Sequence, residues 1–407
     1  VLRKVPGIIK KGEDLEVVGR GKPVYYINGR RVYDNDELKR LLSDEIASVE
    51  VITNPGAMYD ATVTAVVRIK TVRRQGDGFS FNTFAKTEQS LRTGLNDPEA
   101  QVNVNYRHKG LDVFASAKEW QYRTNQWSDL GQTTTDISTG TEIFRYEGAL
   151  KHQWRGIGTH LTGGFNWQIN DKHSVGAKVD YAISTKVDTK ERLAMNKYER
   201  GTLIESVCSD GHNWSDKPNN TLVNAYYNGS IGKLTIDFNA DLFFTNDNTH
   251  QLMKETANTT DRDIESVTTS KNNMAATKLV LAYPIWKGML NIGTEETFIE
   301  RDNTNNSQGT GLPNSTSKVN DKTYAAFIQY GVALNAKTQA SLGLRYEHAD
   351  FDYKDMLNPA DNMERSYDNI FPSASISTLI GKTRIALAYS SRTQRPSLGQ
   401  LNNSMMY

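Results

Sequence analysis

From about residue 100 to residue 390 the chain repeats one pattern, and few folds accommodate it. Apolar and polar residues alternate with a period of two. Val102, Val104 and Tyr106 alternate with Asn103, Asn105 and Arg107. Leu234, Ile236, Phe238, Ala240 and Leu242 alternate with Thr235, Asp237, Asn239 and Asp241. Leu111, Val113, Ala115 and Ala117 form another row, as do Val175, Ala177, Val179 and Tyr181. Leu342, Leu344 and Tyr346 repeat it, as do Ile385, Leu387 and Tyr389. A strand sends successive side chains to opposite faces, so each run has one apolar and one polar face. A membrane barrel presents such strands, with lipid outside and water inside. A soluble β-sandwich shows the same alternation, so period alone leaves both open.

The connections separate the two. Short turns sit at Lys109-Gly110, Asn170-Asp171-Lys172, Gly232-Lys233, Trp286-Lys287-Gly288, Asn335-Ala336 and Gly381-Lys382. Between them lie polar stretches at 87–99, 124–141, 187–219, 246–270, 302–320 and 351–367, rich in Asn, Asp, Thr and Ser. Short turns on one rim and long loops on the other are the habit of outer-membrane barrels. Structureless loops above about 12–15 residues are uncommon in compact soluble domains. The expected fold is mainly β: an antiparallel up-and-down barrel of about 13 strands after a small α+β unit. Residues 142–169 are too long for one membrane strand of about 9–11 residues. They read either as a strand running far above the bilayer or as a hidden hairpin near Arg155-Gly156. Residues 198–207 in the same way read as loop or as an upward strand extension.

Composition agrees with a barrel. Hydrophobic residues make up 37% of the 407, and no run of about 18 apolar residues occurs, so no transmembrane helix is expected. The 19 tyrosines equal Phe and Trp together, 13 and 6, and Tyr suits membrane interfaces. A net charge of +1 gives no sign of a nucleic-acid partner. One cysteine, Cys208, rules out an intramolecular disulfide framework.

Residues 24–70 break the pattern. Residues 24–27 are a short β run, and Asn28-Gly29 is a turn pair that tolerates positive φ. Residues 30–32 continue extended. Asp34 is placed to cap a short helix over 37–42, with Leu38, Leu41 and Leu42 on one face. Val49, Val51 and Ile52 form a second β run, stopped by Asn54-Pro55-Gly56, and 65–69 a third. Such a unit is too small to bury a stable core alone, so it should pack inside something larger.

Here the sequence resembles the plug, or cork, domain of TonB-dependent outer-membrane receptors of Gram-negative bacteria. The resemblance rests on Leu2-Arg3-Lys4-Val5-Pro6-Gly7, on Gly19 and Gly21, and on Tyr26-Ile27-Asn28-Gly29-Arg30. Ile46 to Ile52, then Asn54-Pro55-Gly56-Ala57-Met58-Tyr59-Asp60, and Val66 to Lys70 complete it. Further on, Tyr324-Ala325-Ala326-Phe327, Gly343-Leu344-Arg345-Tyr346-Glu347, Phe371-Pro372-Ser373 and residues 389–396 resemble the family's barrel. The resemblance implies a partial plug over 1–74 and a partial barrel over 75–407. The family's barrel has 22 strands, and the chain opens inside the plug motif. The resemblance therefore implies a fragment truncated at both ends, with the TonB-contacting segment missing. It implies a receptor in the cell outer membrane that binds a small or oligomeric nutrient at extracellular loops and plug and imports it to the periplasm. Its partners are then the TonB complex and outer-membrane lipid, with no cofactor.

No enzymatic constellation stands out, and the chain is not expected to be an enzyme. The seven histidines (His108, His152, His160, His173, His212, His250, His348) show no metal-ligand spacing. Glu295 and Glu296 are strand neighbours and should face opposite ways. His212 lies four residues from Cys208 without other support for a dyad. Trp127, Trp214 and His250 are candidates for ligand contact, more simply read as solvated or interface residues. Arg30 and Arg31 are candidates to pair with Asp237 or Asp241 on the inner wall. Two other functions stay open: a non-transporting surface or adhesion barrel, and a soluble secreted carbohydrate-binding β-sandwich.

Overall fold

The computed structural model describes residues 5–11, 14–32, 38, 46–72, 77–258, 261–309 and 314–393. The opening segment builds two small sheets. β1 (Ile8–Lys11) and β2 (Asp14–Val17) pair antiparallel. β3 (Val24–Ile27), β4 (Arg30–Val32), β5 (Ile46–Ile52) and β6 (Val66–Thr71) form a four-stranded sheet in the order β4-β3-β6-β5. β3 and β6 run parallel and the other pairs antiparallel. Asn28 and Gly29 turn β3 into β4 with φ of 51° and 90°, the left-handed pair that a two-residue hairpin needs. Of the helix expected over 37–42, all but Leu38 lies outside the described residues.

Alternation assigns the two faces of this sheet. Tyr25, Ile27, Val67 and Ile69 join Ile8, Val17, Val32 and Ala65 in one buried cluster. Tyr26 and Val66 point the other way and pack with Val63 and Tyr59. That second face carries the loop that meets the large sheet.

The large sheet has 14 strands. It opens with β7 (Gly78–Gln89), β8 (Asn96–His108), β9 (Leu111–Thr135) and β10 (Glu142–Asn170). β11 (His173–Glu199), β12 (Thr202–Ser215), β13 (Asn219–Ile231) and β14 (Leu234–Ala257) follow. β15 (Asp261–Ile285), β16 (Gly288–Gln308), β17 (Ser315–Ala333), β18 (Thr338–Asp355), β19 (Met363–Ile380) and β20 (Thr383–Ser390) complete it. Each strand pairs antiparallel with its neighbour, except that β12 and β13 share one place. The upper part of β11 pairs with β12 and its lower part with β13, and β14 does the same. Two strands laid end to end thus fill one position, which leaves the thirteen places expected from the sequence.

Side-chain orientation follows the sequence pattern. On β18, Leu342, Leu344 and Tyr346 are 66%, 46% and 44% exposed, while Arg345 and Glu347, on the alternate positions, are each 1% exposed. Asn224 and Asp241 lie buried on the same polar face. Two facing sheets with a dry middle would invert this arrangement, so the soluble sandwich is set aside. Among the described residues the buried apolar clusters lie within the first 70 residues. The wall itself has apolar residues out and polar residues in, as a barrel in lipid requires.

The short turns fall where expected; Lys109 and Gly110, for example, join β8 to β9 with φ of 47° and 80°. The long polar stretches do not behave as loops. β10 runs 29 residues without interruption, and no hairpin forms at Arg155-Gly156. β11 continues to Glu199, turns at Arg200-Gly201 and returns as β12. The 246–270 and 302–320 stretches are likewise mostly ladder. The physical reason is that apolar alternation ends where the strand leaves lipid, whereas backbone pairing carries on into water.

Candidate functional site at the plug and barrel wall

The segment from Thr53 to Thr64 makes no strand ladder, so its backbone groups need other partners. The inner wall supplies them. Met58 N–H donates to Gln329 Oε1 at 3.3 Å, and Met58 C=O accepts from Lys278 Nζ at 2.5 Å. Ala61 N–H donates to Glu347 Oε1 at 3.4 Å. Arg392 donates to the carbonyls of Pro55, at 3.0 Å, and of Val63. Thr393 N–H donates to Ala61 C=O at 3.2 Å. Asp60 folds the turn locally, accepting from Thr62 N–H at 2.8 Å and Thr62 Oγ1 at 2.5 Å.

The wall residues form one charged patch because register brings them side by side. Lys278 on β15 lies opposite Glu295 on β16, Glu295 opposite Ala325 on β17, and Ala325 opposite Glu347 on β18. Arg345 sits at the centre. Its guanidinium meets Glu347 at 2.6 Å, Glu295 at 3.2 Å and, on the 53–64 loop, Asp60 at 3.9 Å. It also lies 5.9 Å from the Phe327 ring centroid. Lys278 bonds Glu295 at 3.3 Å and sits 5.4 Å from the ring of Tyr59. Tyr59 in turn meets Tyr26 edge to face at 5.6 Å. Burial pushes both phenols upward in pKa, so both stay neutral donors at physiological pH.

Two close approaches fix the docking distance. A Cβ on Gly343 would stand 2.8 Å from the Cβ of Ala57. A Cβ on Gly56 would overlap the Gln329 amide that receives Met58. Glycine at each place lets loop and wall touch.

The other signature residues are structural in their immediate roles. Pro6 and Gly7 form the turn before β1, and Gly7 C=O accepts from Val18 N–H at 2.9 Å. Gly19 and Gly21, with φ of 71° and 77°, close the turn after β2. The side chain of Arg30 lies outside the described residues. Asp237 faces Gly29, where a Cβ would stand 3.2 Å from its carboxylate, and Asp241 accepts from Asn224 at 2.6 Å. The charge of Arg31 acts on Glu295 and Tyr26. Sequence reasoning did not single out the cluster of Lys278, Glu295, Arg345 and Glu347. The available signal was a pair of opposite charges, two residues apart, on the polar side of a membrane strand.

The histidines disperse. Five pair with carboxylates at 2.7–2.9 Å: His108 with Asp77, His152 with Glu191, His212 with Asp188, His250 with Asp216 and His348 with Asp368. His160 lies 3.5 Å from Asp180, and His173 meets Tyr227 at 2.7 Å. Among the described residues no group of three His, Cys, Asp or Glu is arranged to hold a metal. Cys208 and His212 lie in β12, four strand residues and roughly 13 Å apart, so no dyad forms. Glu295 faces the patch while Glu296 accepts from Thr277. Trp214 stacks on His250 at 4.9 Å, whereas Trp127 lies apart under Arg92. What the patch can do is hold the 53–64 loop against the wall by hydrogen bonds and ion pairs.

Comparison with known proteins is consistent with this geometry. Residues 230–407 match the model of the "Outer membrane protein beta-barrel family". No curated protein sequence matches the chain. Among solved structures, the siderophore receptor PiuA from Acinetobacter baumannii is similar, with a TM-score of 0.53 and 11% identity. The match covers 90% of this chain and 56% of that one, so the chain spans about half of that receptor's length. BauA, the ferric preacinetobactin receptor from the same organism, aligns over 97% of this chain and 76% of its own, with 12% identity and a TM-score of 0.35. At 11% identity the likeness to PiuA is one of fold.

Proposed function

We propose that this chain is part of a TonB-dependent outer-membrane receptor, whose first 70 or so residues form its plug, and that it binds a nutrient between the upper wall and that plug and admits it to the periplasm. The proposed partner is the TonB complex, since the outer membrane has no ATP and force must come from the inner membrane. The work is binding and gating rather than catalysis. The observation that carries the reading is the seat of residues 54–63. Their backbone is held by Lys278, Gln329, Glu347 and Arg392, polar contacts that a wet lumen can exchange. An apolar seal would resist removal; a polar one yields to a pull and re-forms.

The test uses the whole protein in living cells, with Cys208→Ser as background and Tyr59→Cys as reporter. Tyr59 is covered by Tyr26 and Lys278 in the seated state. Labelling by a periplasm-permeant maleimide should rise several-fold in energised cells and fall when a protonophore or loss of TonB removes the force. Equal labelling in all three conditions would reject gating by this route.

A further inference from the structure

The inner wall carries a second feature, away from the plug seat. Trp120 and Tyr122 on β9 stand in register with Gly158 and Gly156 on β10. Their rings fill the space that a Cβ on those glycines would take. The two ring planes are nearly parallel, 10° apart, with centroids 5.6 Å from each other. Both line a cavity of about 1140 Å³ whose other walls come from β7 and β8 and from Thr71 and Val72 at the end of the plug. That is room for an oligomeric ligand.

The polar lining narrows the chemistry. Lys86 lies 3.3 Å from Glu88 and 3.9 Å from Glu99, and Lys118 lies 3.2 Å from Glu99. Arg107 pairs with Asp112 at 2.7 Å. Asp97 adds a carboxylate that accepts from Arg123 N–H. The cations are thus matched, and carboxylates slightly exceed them. Farther along the same inward face, past Glu99 and Lys118, stand neutral donors and acceptors: Gln101 bonds Asn103 at 2.7 Å and Ser116 at 3.2 Å. A multiply charged anion would meet net repulsion here. A neutral ligand with flat apolar faces and hydroxyl edges would find ring surfaces for the first and amides for the second.

We propose that this cavity is a binding subsite for a neutral oligosaccharide, stacked on Trp120 and Tyr122 and hydrogen-bonded by Gln101, Asn103 and Ser116. The inference rests on the receptor reading and names its cargo class. The rings act as a platform because glycine at 156 and 158 removes the side chains that would lift them off the wall.

The experiment is calorimetric titration of the chain in detergent micelles. The probes are hexasaccharides of glucose in α-1,4 and β-1,4 linkage, hexaxylose and hexamannose, with a trianionic ferric tris-catecholate as the charged comparison. At least one hexasaccharide should bind saturably and the ferric complex should not. Trp120→Ala and Tyr122→Ala should each weaken that sugar about tenfold, and Trp120→Phe should restore most of the loss. Gly158→Val, which lifts the indole without removing it, should weaken binding similarly. Circular dichroism matching the parent certifies that each variant is folded. Saturable binding of the ferric complex, absence of binding by every sugar, or sugar affinity indifferent to Trp120→Ala would each overturn the inference. None of these results touches the Tyr59 labelling outcome, so failure here leaves gating standing, and failure there leaves the subsite standing.

Discussion

At the residue scale the most consequential group is Arg345. It is 1% exposed and bound to two carboxylates. Removing one partner of such a cluster leaves charge buried without compensation, at a cost of about 3–5 kcal/mol. Arg345→Ala should therefore loosen the plug far more than Gln329→Ala, which removes one neutral acceptor worth about 1 kcal/mol. Limited proteolysis of the plug in detergent, read against urea, checks the order; equal sensitivity would show that Arg345 is not central. A pH effect belongs at the β9–β10 turn, outside the membrane. Asp136 accepts from Ser138 Oγ at 2.5 Å, Ser138 N–H at 2.8 Å and Thr139 N–H at 3.0 Å. The Ser138 hydroxyl bond leads in holding its pKa below 3.8. A depressed carboxylate stabilises the turn fully above its unfolded value and loses that contribution as pH falls through the folded one. The protection of the Ser138 and Thr139 amides, measured relative to their intrinsic exchange rates, should fall as pH drops below 3.8 and stay level above it. The turn residues were legible in the sequence because positive φ restricts residue choice so strongly. Arg345 and Glu347 were not, because period two shows which face a residue takes and not which residues across three strands meet there.

At the element scale the strand tips depart most from the sequence reading. The polar stretches of 124–141 and 246–270 carry no apolar row, and an apolar row is what marks a strand in lipid. Above the bilayer both faces meet water, so Thr, Asn and Ser serve on either side while the ladder persists. β10 extends roughly 95 Å along its own axis, far beyond a membrane strand. Hydrogen exchange should find the amides of residues 144–155 protected within about tenfold of those of 158–167; rapid exchange throughout the upper half would mean the extension is loop after all. The plug sheet was legible where a turn pair and alternating apolar residues coincide, as in β3 and β4. Its docked loop was visible as Asn54-Pro55-Gly56, but the need for Gly343 opposite Ala57 was not. Gly343→Val should unseat that loop while leaving the wall folded, seen as faster plug proteolysis with unchanged β-sheet dichroism.

At the scale of the whole molecule, lipid outside and water inside explain why a chain with a mean hydropathy of −0.59 lives in a membrane. The two faces should answer oppositely to one substitution. Phe238→Arg, on the lipid face five residues into β14, should cost about 2–4 kcal/mol in folding into vesicles. Asn239→Arg, one residue on and facing the lumen, should cost under half of that; equal costs would deny the outward assignment. The upper ladders have one more consequence. Adjacent β-tips hydrogen-bonded along their length resist independent swinging, so the upper wall from β8 to β18 moves as one stiff palisade and not as separate flaps.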